Sequence, residues 1–353
     1  MKRKVLTVFD DPGGGLAVTA VAEKLKENPE FELIIYCGKL SCGIADNSHL
    51  DCFNIDSMIT KETAEEIIEK SSPDLLLSAT GGGNAEQELR NTANRKNIPG
   101  IVILDFWKDY KRRWLYADYE IEKMKDVICV MDELTKKEMT EEGFPERNII
   151  VTGHPHLDRM FNQQNTAGIR RDDNKLKALF LSQPFSIIGI SEYKIHPLKL
   201  TATALKKYSD HIKKEAELTV RLHPSEKMSD EISLIIGEEK NSGLKIKLSS
   251  NEDNLHGLIS DSDIVFGYNS IAMFEAKAFK KRAVSLDYFP MNESLRVAFA
   301  SAGIESAEAD DKALFETLKS PVNSISDGNF FSGGINNCIE LIYSYTGIKK
   351  PVN

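Results

Sequence analysis

The chain has 353 residues, more than the roughly 250–300 at which a single hydrophobic core stops growing, so two domains are expected. Its 41% hydrophobic and 28% charged residues exclude a disordered, collagen-like or small disulfide-stapled chain. A formal net charge of -9 speaks against broad binding to nucleic-acid phosphate, so any anion must be held in a local pocket.

Met1-Lys2-Arg3-Lys4 leads into a strand-like Val5–Phe9 rather than a signal-peptide core. No apolar run approaches the ~18–20 residues of a membrane span, so a cytoplasmic location is expected. Short apolar runs then alternate with amphipathic stretches, the pattern of a parallel sheet covered by helices on both faces. Asp10-Asp11-Pro12-Gly13-Gly14-Gly15 reads as a loop, with a helix from Leu16 to about Glu27. Further strands are predicted at Leu33–Cys37, Asp74–Ser78, Gly100–Leu104, Val127–Val130 and Ile149–Thr152, with helices from near Ala85 and over Glu133–Glu142. The pattern breaks in the polar stretch Asn162–Asn174 and restarts with strands at Ala178–Leu181, Leu218–Leu222, Leu244–Leu248, Ile264–Phe266 and Ala283–Leu286. The fold class predicted is therefore α/β, two Rossmann-like doubly wound parallel-sheet domains whose loops face a cleft. Residues 1–161 form the first domain, 162–175 a linker, 176–335 the second domain, and 336–353 a closing helix that packs back on the first. Cys37, Cys42, Cys52, Cys129 and Cys338 are an odd count without CxxC pairing, so reduced structural thiols are expected.

The turn at Asp10 and Asp11 offers backbone N–H groups of Gly13, Gly14 and Gly15 to a polar ligand, beside two carboxylates. Those carboxylates repel an anion, whereas a sugar hydroxyl that must lose a proton finds a base there. The dinucleotide fingerprint is absent, because Val18 stands where its third small residue belongs and no acid follows Cys37-Gly38. Gly81-Gly82-Gly83-Asn84 repeats the arrangement after a later strand, so Gly82, Gly83 and Asn84 join the candidate binding set. Asp105 stands one residue past a strand end, where a catalytic carboxylate would serve. It opens a run to Trp114 that holds both tryptophans and a basic cluster. Trp107 there reads as part of an acceptor-side surface and a point of peripheral contact with the inner face of a membrane; the competing reading is a capped helix start with buried aromatics.

In the second half, Arg221-Leu222-His223-Pro224 places a histidine at a strand's carboxyl end, where it can donate to a departing phosphate oxygen; Arg221 shares its face and Pro224 fixes the turn. Gly267-Tyr268-Asn269-Ser270 leads from a strand into a helix whose free N–H groups suit a phosphate, and Glu275, further along, can reach ribose hydroxyls. No Walker A lysine motif, HExxH, GxSxG or metal-spaced His/Cys cluster occurs, and His154 with His156 are too few ligands for zinc. Neither a metal nor a cofactor is expected, only a nucleotide-sugar as donor substrate.

The segment Asp261–Asp287 resembles the donor-binding signature of GT-B-fold glycosyltransferases, above all capsule, lipopolysaccharide and teichoic-acid enzymes with a His-Pro after a strand and a Ser-containing turn before a helix carrying Glu. Val151-Thr152-Gly153-His154-Pro155 is similar to the step that closes the first domain in that fold, and Leu179–Pro184 to the opening of the second. The resemblance implies a metal-independent enzyme with the acceptor on the first domain and the nucleotide on the second, held by His223, Asn269, Ser270 and Glu275. Sialyltransferase-like relatives carry two acids followed by glycine; here Pro12 follows Asp10-Asp11, so Asp105 competes for the role of base. The leading expectation is a glycosyltransferase of surface-polysaccharide biosynthesis that moves a sugar from a nucleotide-sugar to a glycan or lipid-linked acceptor. The alternatives are a nucleotide-sugar 2-epimerase, for which the second half shows no convincing set of extra acids and histidine, and a non-catalytic nucleotide or glycan binding protein.

Overall fold

Alternation of buried apolar strands with amphipathic helices sets the architecture of both halves. The computed structural model describes residues 2–162, 174–184, 195–223, 226–240, 243–250, 253–288, 291–322 and 332–348. They divide into two units, one within Met1–Gln163, Asn292–Leu295 and Asn329–Asn353, the other within Gln164–Met291 and Arg296–Gly328. Pro224 and most of the predicted linker lie outside the described residues.

The first unit runs β1 (Arg3–Phe9), α1 (Pro12–Lys26), β2 (Phe31–Gly38), α2 (Cys42–Asn47), β3 (Phe53–Ile55), α3 (Lys61–Ser71), β4 (Leu75–Ser78), α4 (Ala85–Arg95), β5 (Gly100–Ile103), β6 (Val127–Val130), α5 (Glu133–Glu141), β7 (Ile149–Val151) and α6 (Pro155–Asn162). The second runs β8 (Lys175–Leu181), α7 (Pro197–Ile212), β9 (Glu215–Arg221), α8 (Asp230–Lys240), β10 (Lys245–Leu248), α9 (Leu255–Asp261), β11 (Ile264–Gly267), α10 (Ile271–Ala278), β12 (Arg282–Asp287), α11 (Glu293–Ser301), β13 (Glu305–Glu308) and α12 (Asp311–Lys319). The first turn of α11 is grouped with the first unit, as is the last helix, α13 (Gly334–Thr346).

Each unit is a parallel sheet, of seven strands in the order β3-β2-β1-β4-β5-β6-β7 and of six in the order β10-β9-β8-β11-β12-β13. Both faces of the first sheet are covered, and β1 shows it residue by residue. Val5 and Phe9 enter the core formed with α1 and α13, while Leu6 and Val8 enter the opposite core with α3 and α4. That period of two, with each fully buried Leu or Phe contributing roughly 1.5–3 kcal/mol, fixes the register of the strand. In each sheet the order reverses where β1 meets β4 and where β8 meets β11. A crevice outside the strands' carboxyl ends at such a reversal is where doubly wound sheets take ligands.

Two local expectations change. The helix expected from Leu16 begins at Pro12, because Asp11 caps it, its Oδ1 accepting from Gly14 N at 2.8 Å, and Pro12 takes the first-turn position where a missing N–H has no consequence. Gly13, Gly14 and Gly15 are thus first-turn residues of α1 and not a preceding loop. The thiols also differ from expectation, since Cys37 and Cys52 are joined by a disulfide. Pairing of β2 with β3, which sets Cys37 opposite Asn54, carries Cys52 to Cys37 across fifteen residues of chain.

Candidate functional site

The carboxyl ends of β1, β4 and β5 bring Asp10, Asp11, Thr80, Gly81 and Asp105 together at the reversal point of the first sheet. Close packing explains the glycines. A Cβ on Gly14 would stand 2.5 Å from that of Ala79, and one on Gly13 would stand 2.6 Å from Asp105 Oδ2. The start of α1 therefore lies against the β4 end and Asp105 as only glycine allows.

Glu86, at the start of α4, ties the two glycine-rich segments together. Its Oε1 accepts from Asp10 N at 2.8 Å and its Oε2 from Gly81 N. It is 2% exposed; burial, followed by the charge of Asp11, pushes its carboxyl up to about 8 despite Arg90 and the two N–H donors. Asp11 rises to about 7, through burial first and the charge of Asp105 second. Asp10 is raised by burial, against an opposing hydrogen bond from Gly83 N–H. Asp105 is an ion-pair partner of Arg113, which also donates to Thr80 Oγ1 at 2.6 Å and to Thr80 O at 3.2 Å. Behind it, His154 Nε2 lies 2.9 Å from the Asp105 carbonyl, and burial lowers this imidazole to about 4, so it is neutral near pH 7.

The structure brings together Asp10, Asp11 and Asp105, which the sequence singles out, with Glu86, which it does not, and with Arg113, which the sequence places only in a basic cluster. An acid in a helix's first turn after a glycine-rich turn was the available signal for Glu86, though it also reads as an ordinary complement to the helix dipole.

The remaining first-half candidates have other partners. Asn84 Oδ1 accepts from Ile59 N at 2.8 Å and its Nδ2 donates to Ile59 O at 3.0 Å, so this side chain stitches the α4 start to the segment before α3. Gly83 admits the Ser57 carbonyl, which a Cβ there would strike, while Gly82 faces open space. Trp107 is fully buried, donating Nε1–H to Asp132 Oδ2 at 2.5 Å, and Trp114 is buried edge-on to Phe144 with Arg90 over its ring. Neither indole offers a face to a glycan or a headgroup, which corrects the acceptor-surface and membrane expectations for this run. The reason is packing: Tyr110 and Asn292 both bond Glu138 Oε2, at 2.7 and 2.6 Å, and Asn292 reaches Trp107 O, pinning the run inward. Among the described residues no helix is long and apolar enough to cross a membrane.

In the second unit, β9 ends at Arg221, whose guanidinium bonds the Ser250 carbonyl. His223 is exposed just beyond, with its pKa lowered by partial desolvation. Its backbone N–H donates to Glu226 Oε2 at 3.2 Å, and Glu226 Oε1 accepts from Ser182 Oγ at 3.0 Å. Glu226 went unrecognised in the sequence. At the β11 end, Gly267 leaves room for Met273, and Tyr268 is buried, pushed up to about 12 by desolvation and then by Asp287. Asn269 holds a left-handed backbone, φ 40°, and its buried Oδ1 has no hydrogen-bond partner among the described residues. Ser270 caps α10, its Oγ accepting from Ala272 N at 3.3 Å. Glu275 is 1% exposed, with Oε2 3.5 Å from His256 Nε2.

No family model and no curated protein sequence matches the chain. Solved structures do. A Staphylococcus aureus MnaA–UDP structure aligns with TM-score 0.73 at 14% identity, covering 99% of each chain. The Neisseria meningitidis UDP-GlcNAc 2-epimerase bound to UDP-GlcNAc gives 0.69 at 14% identity over 97% of this chain and 100% of that one. The Methanocaldococcus jannaschii UDP-GlcNAc 2-epimerase gives 0.69 at 13% identity over 97% and 99%. The chain has the GT-B-like fold. The glycosyltransferase expectation is corrected by these neighbours, two of which are UDP-GlcNAc 2-epimerases that align over nearly the whole chain. What Asp261–Asp287 carries is a strand, a helix capped by Ser270 and a second strand.

Proposed function

We propose that the protein is a nucleotide-sugar 2-epimerase, an enzyme that removes the C2 proton of a nucleotide-linked sugar as the C1–O bond to the nucleotide diphosphate breaks, leaving a C1=C2 double bond, and then adds the diphosphate back at C1 while C2 takes a proton on the opposite face. Such a reaction needs a base and an acid and no acceptor. The carrying observation is the group of four carboxyl side chains at the first sheet's reversal point, of which Asp11 and Glu86 titrate near 7 and 8 while Asp105 pairs with Arg113. A raised carboxyl such as Asp11 can hold a proton to give, and a carboxylate placed beside it can take one. Asp105 is assigned the base and Asp11 the acid, with Glu86 holding the two turns at a fixed separation. The acids that the second half lacks are thus supplied by the first.

The nucleoside diphosphate is assigned to the second unit, at the Ser270-capped start of α10 beside Asn269, where helix N–H groups and dipole favour phosphate. The fold neighbours solved with UDP or UDP-GlcNAc support a uridine nucleotide as the first ligand to try. The test is incubation with UDP-N-acetylglucosamine alone in D2O, followed by proton NMR. Deuterium entering at sugar C2, with a second nucleotide sugar or free UDP appearing without any acceptor, is expected. No exchange and no product at saturating nucleotide sugar removes the reading.

A further inference from the structure

Three of the five cysteines converge beside the Asp10 turn. Cys37 ends β2 and is buried, Cys42 opens α2, and Cys52 precedes β3; one sulfur from each lies within 4.8 Å of the other two. The disulfide joins Cys37 and Cys52, yet Cys42 Sγ stands only 2.8 Å from Cys37 Sγ. A structural disulfide has no use for a third thiol at that range.

We propose that Cys37, Cys42 and Cys52 form a three-thiolate site for one zinc-class cation, open when the Cys37–Cys52 bond is reduced. Thiolates on tetrahedral zinc, with Zn–S near 2.3 Å, sit about 3.8 Å apart, so the Cys42 and Cys52 sulfurs, both held closer than that to Cys37 Sγ while the bond is intact, need to draw away from it by only about 1–1.5 Å once it is reduced. Oxygen is also at hand, because Asn54 Oδ1 lies 2.8 Å from Cys42 Sγ, leaving this amide or a water for the fourth position. Cys42 and Cys52 are half-buried, which gives an ion a way in.

The chemistry balances with a dithiol as reductant. The Cys37–Cys52 bond takes two electrons and two protons and becomes two thiols, while the dithiol closes to its own disulfide. Zinc binding then releases the three thiol protons to water. The site also bears on the Asp10 turn. Ser41 Oγ donates to Asp10 O at 2.8 Å, and a Cβ on Gly38 would strike Asp10, so the segment carrying Cys37 and Cys42 lies directly against that backbone.

The experiment uses the full chain, reduced with a dithiol and desalted anaerobically, then titrated with Zn2+ against a chromophoric chelator and separately with Co2+. About one equivalent of Zn2+, a thiolate-to-cobalt charge-transfer band, and at least about 100-fold weaker binding in Cys42→Ser and Cys52→Ser are expected. Oxidised protein should bind neither ion at this site. Tryptophan fluorescence and far-UV circular dichroism establish that the variants are folded, and the cobalt spectrum of the unmodified chain needs no variant at all. Reduced protein that takes up no zinc, cobalt bound without the thiolate band, or folded Cys42→Ser protein that binds as the unmodified chain does would each overturn the proposal.

Discussion

Replacing Glu86 by Gln tests the electrostatics of the candidate site directly. In the unfolded chain this carboxyl titrates near its ordinary 4.5, and in the folded protein burial and Asp11 raise it to about 8. Between those values the unfolded state has released a proton that the folded state keeps. The group's contribution is therefore fully present below about 4.5 and is lost as pH rises toward 8, at about 1.4 kcal/mol per pH unit. From pH 5.5 to 7.5 that amounts to roughly 2–3 kcal/mol of stability that the unmodified protein loses and Glu86→Gln does not. Glutamine also points an amide N–H2 at a backbone donor, Asp10 N or Gly81 N, which costs about 1–3 kcal/mol at every pH. The variant should be the weaker protein at pH 5.5 and should draw level with or overtake the unmodified chain by pH 7.5. Both tryptophans are buried in the first unit, so urea titrations followed by their fluorescence at pH 5.5, 6.5 and 7.5 read the relevant half of the molecule. Parallel stability curves across that range would refute the argument that Glu86 is held protonated by its surroundings.

Asp11→Asn keeps an oxygen to cap α1 but removes the acid, so turnover of UDP-N-acetylglucosamine, read by NMR, should fall about 10²–10⁴-fold, while the variant's stability should gain on that of the unmodified chain as pH rises toward 7, as for Glu86. Arg113→Met leaves Asp105 buried without its ion-pair partner and should destabilise the first unit by about 3–5 kcal/mol in the same fluorescence assay; a loss below 1 kcal/mol would mean Asp105 is satisfied without it. Ser270→Ala removes the α10 cap, at about 0.5–2 kcal/mol of stability, and should weaken UDP binding measured by calorimetry; undiminished binding would move the nucleotide away from that helix start.

Local pattern carried much of the fold. Val127–Val130 was legible to the residue, and most other strands to within a few, because a strand buried on both faces is an unbroken apolar run whatever surrounds it. Two strands were not legible: β3 is three residues long, and β13, Glu305–Glu308, carries acids at both ends. The start of α1 was written in Asp11-Pro12, a cap followed by a first-turn proline, but three glycines lower helix propensity enough to mask it. Packing of those glycines against Ala79 and Asp105 overrode the local preference.

The residues alone determined two parallel α/β sheets and put Asp10, Asp11 and Asp105 at strand ends, since periodicity and turn chemistry act within a few neighbours. Only the tertiary structure decided what those acids meet. Glu86 bonds a backbone seventy-six residues away, Arg113 turns inward to Asp105 instead of outward to solvent, and Trp107 closes on Asp132 rather than on a ligand. Three cysteines of unremarkable spacing became neighbours in the same way, through strand pairing. Burial and charge coupling are set by distance in space, and the order of residues along a chain does not contain that distance until the sheet has formed.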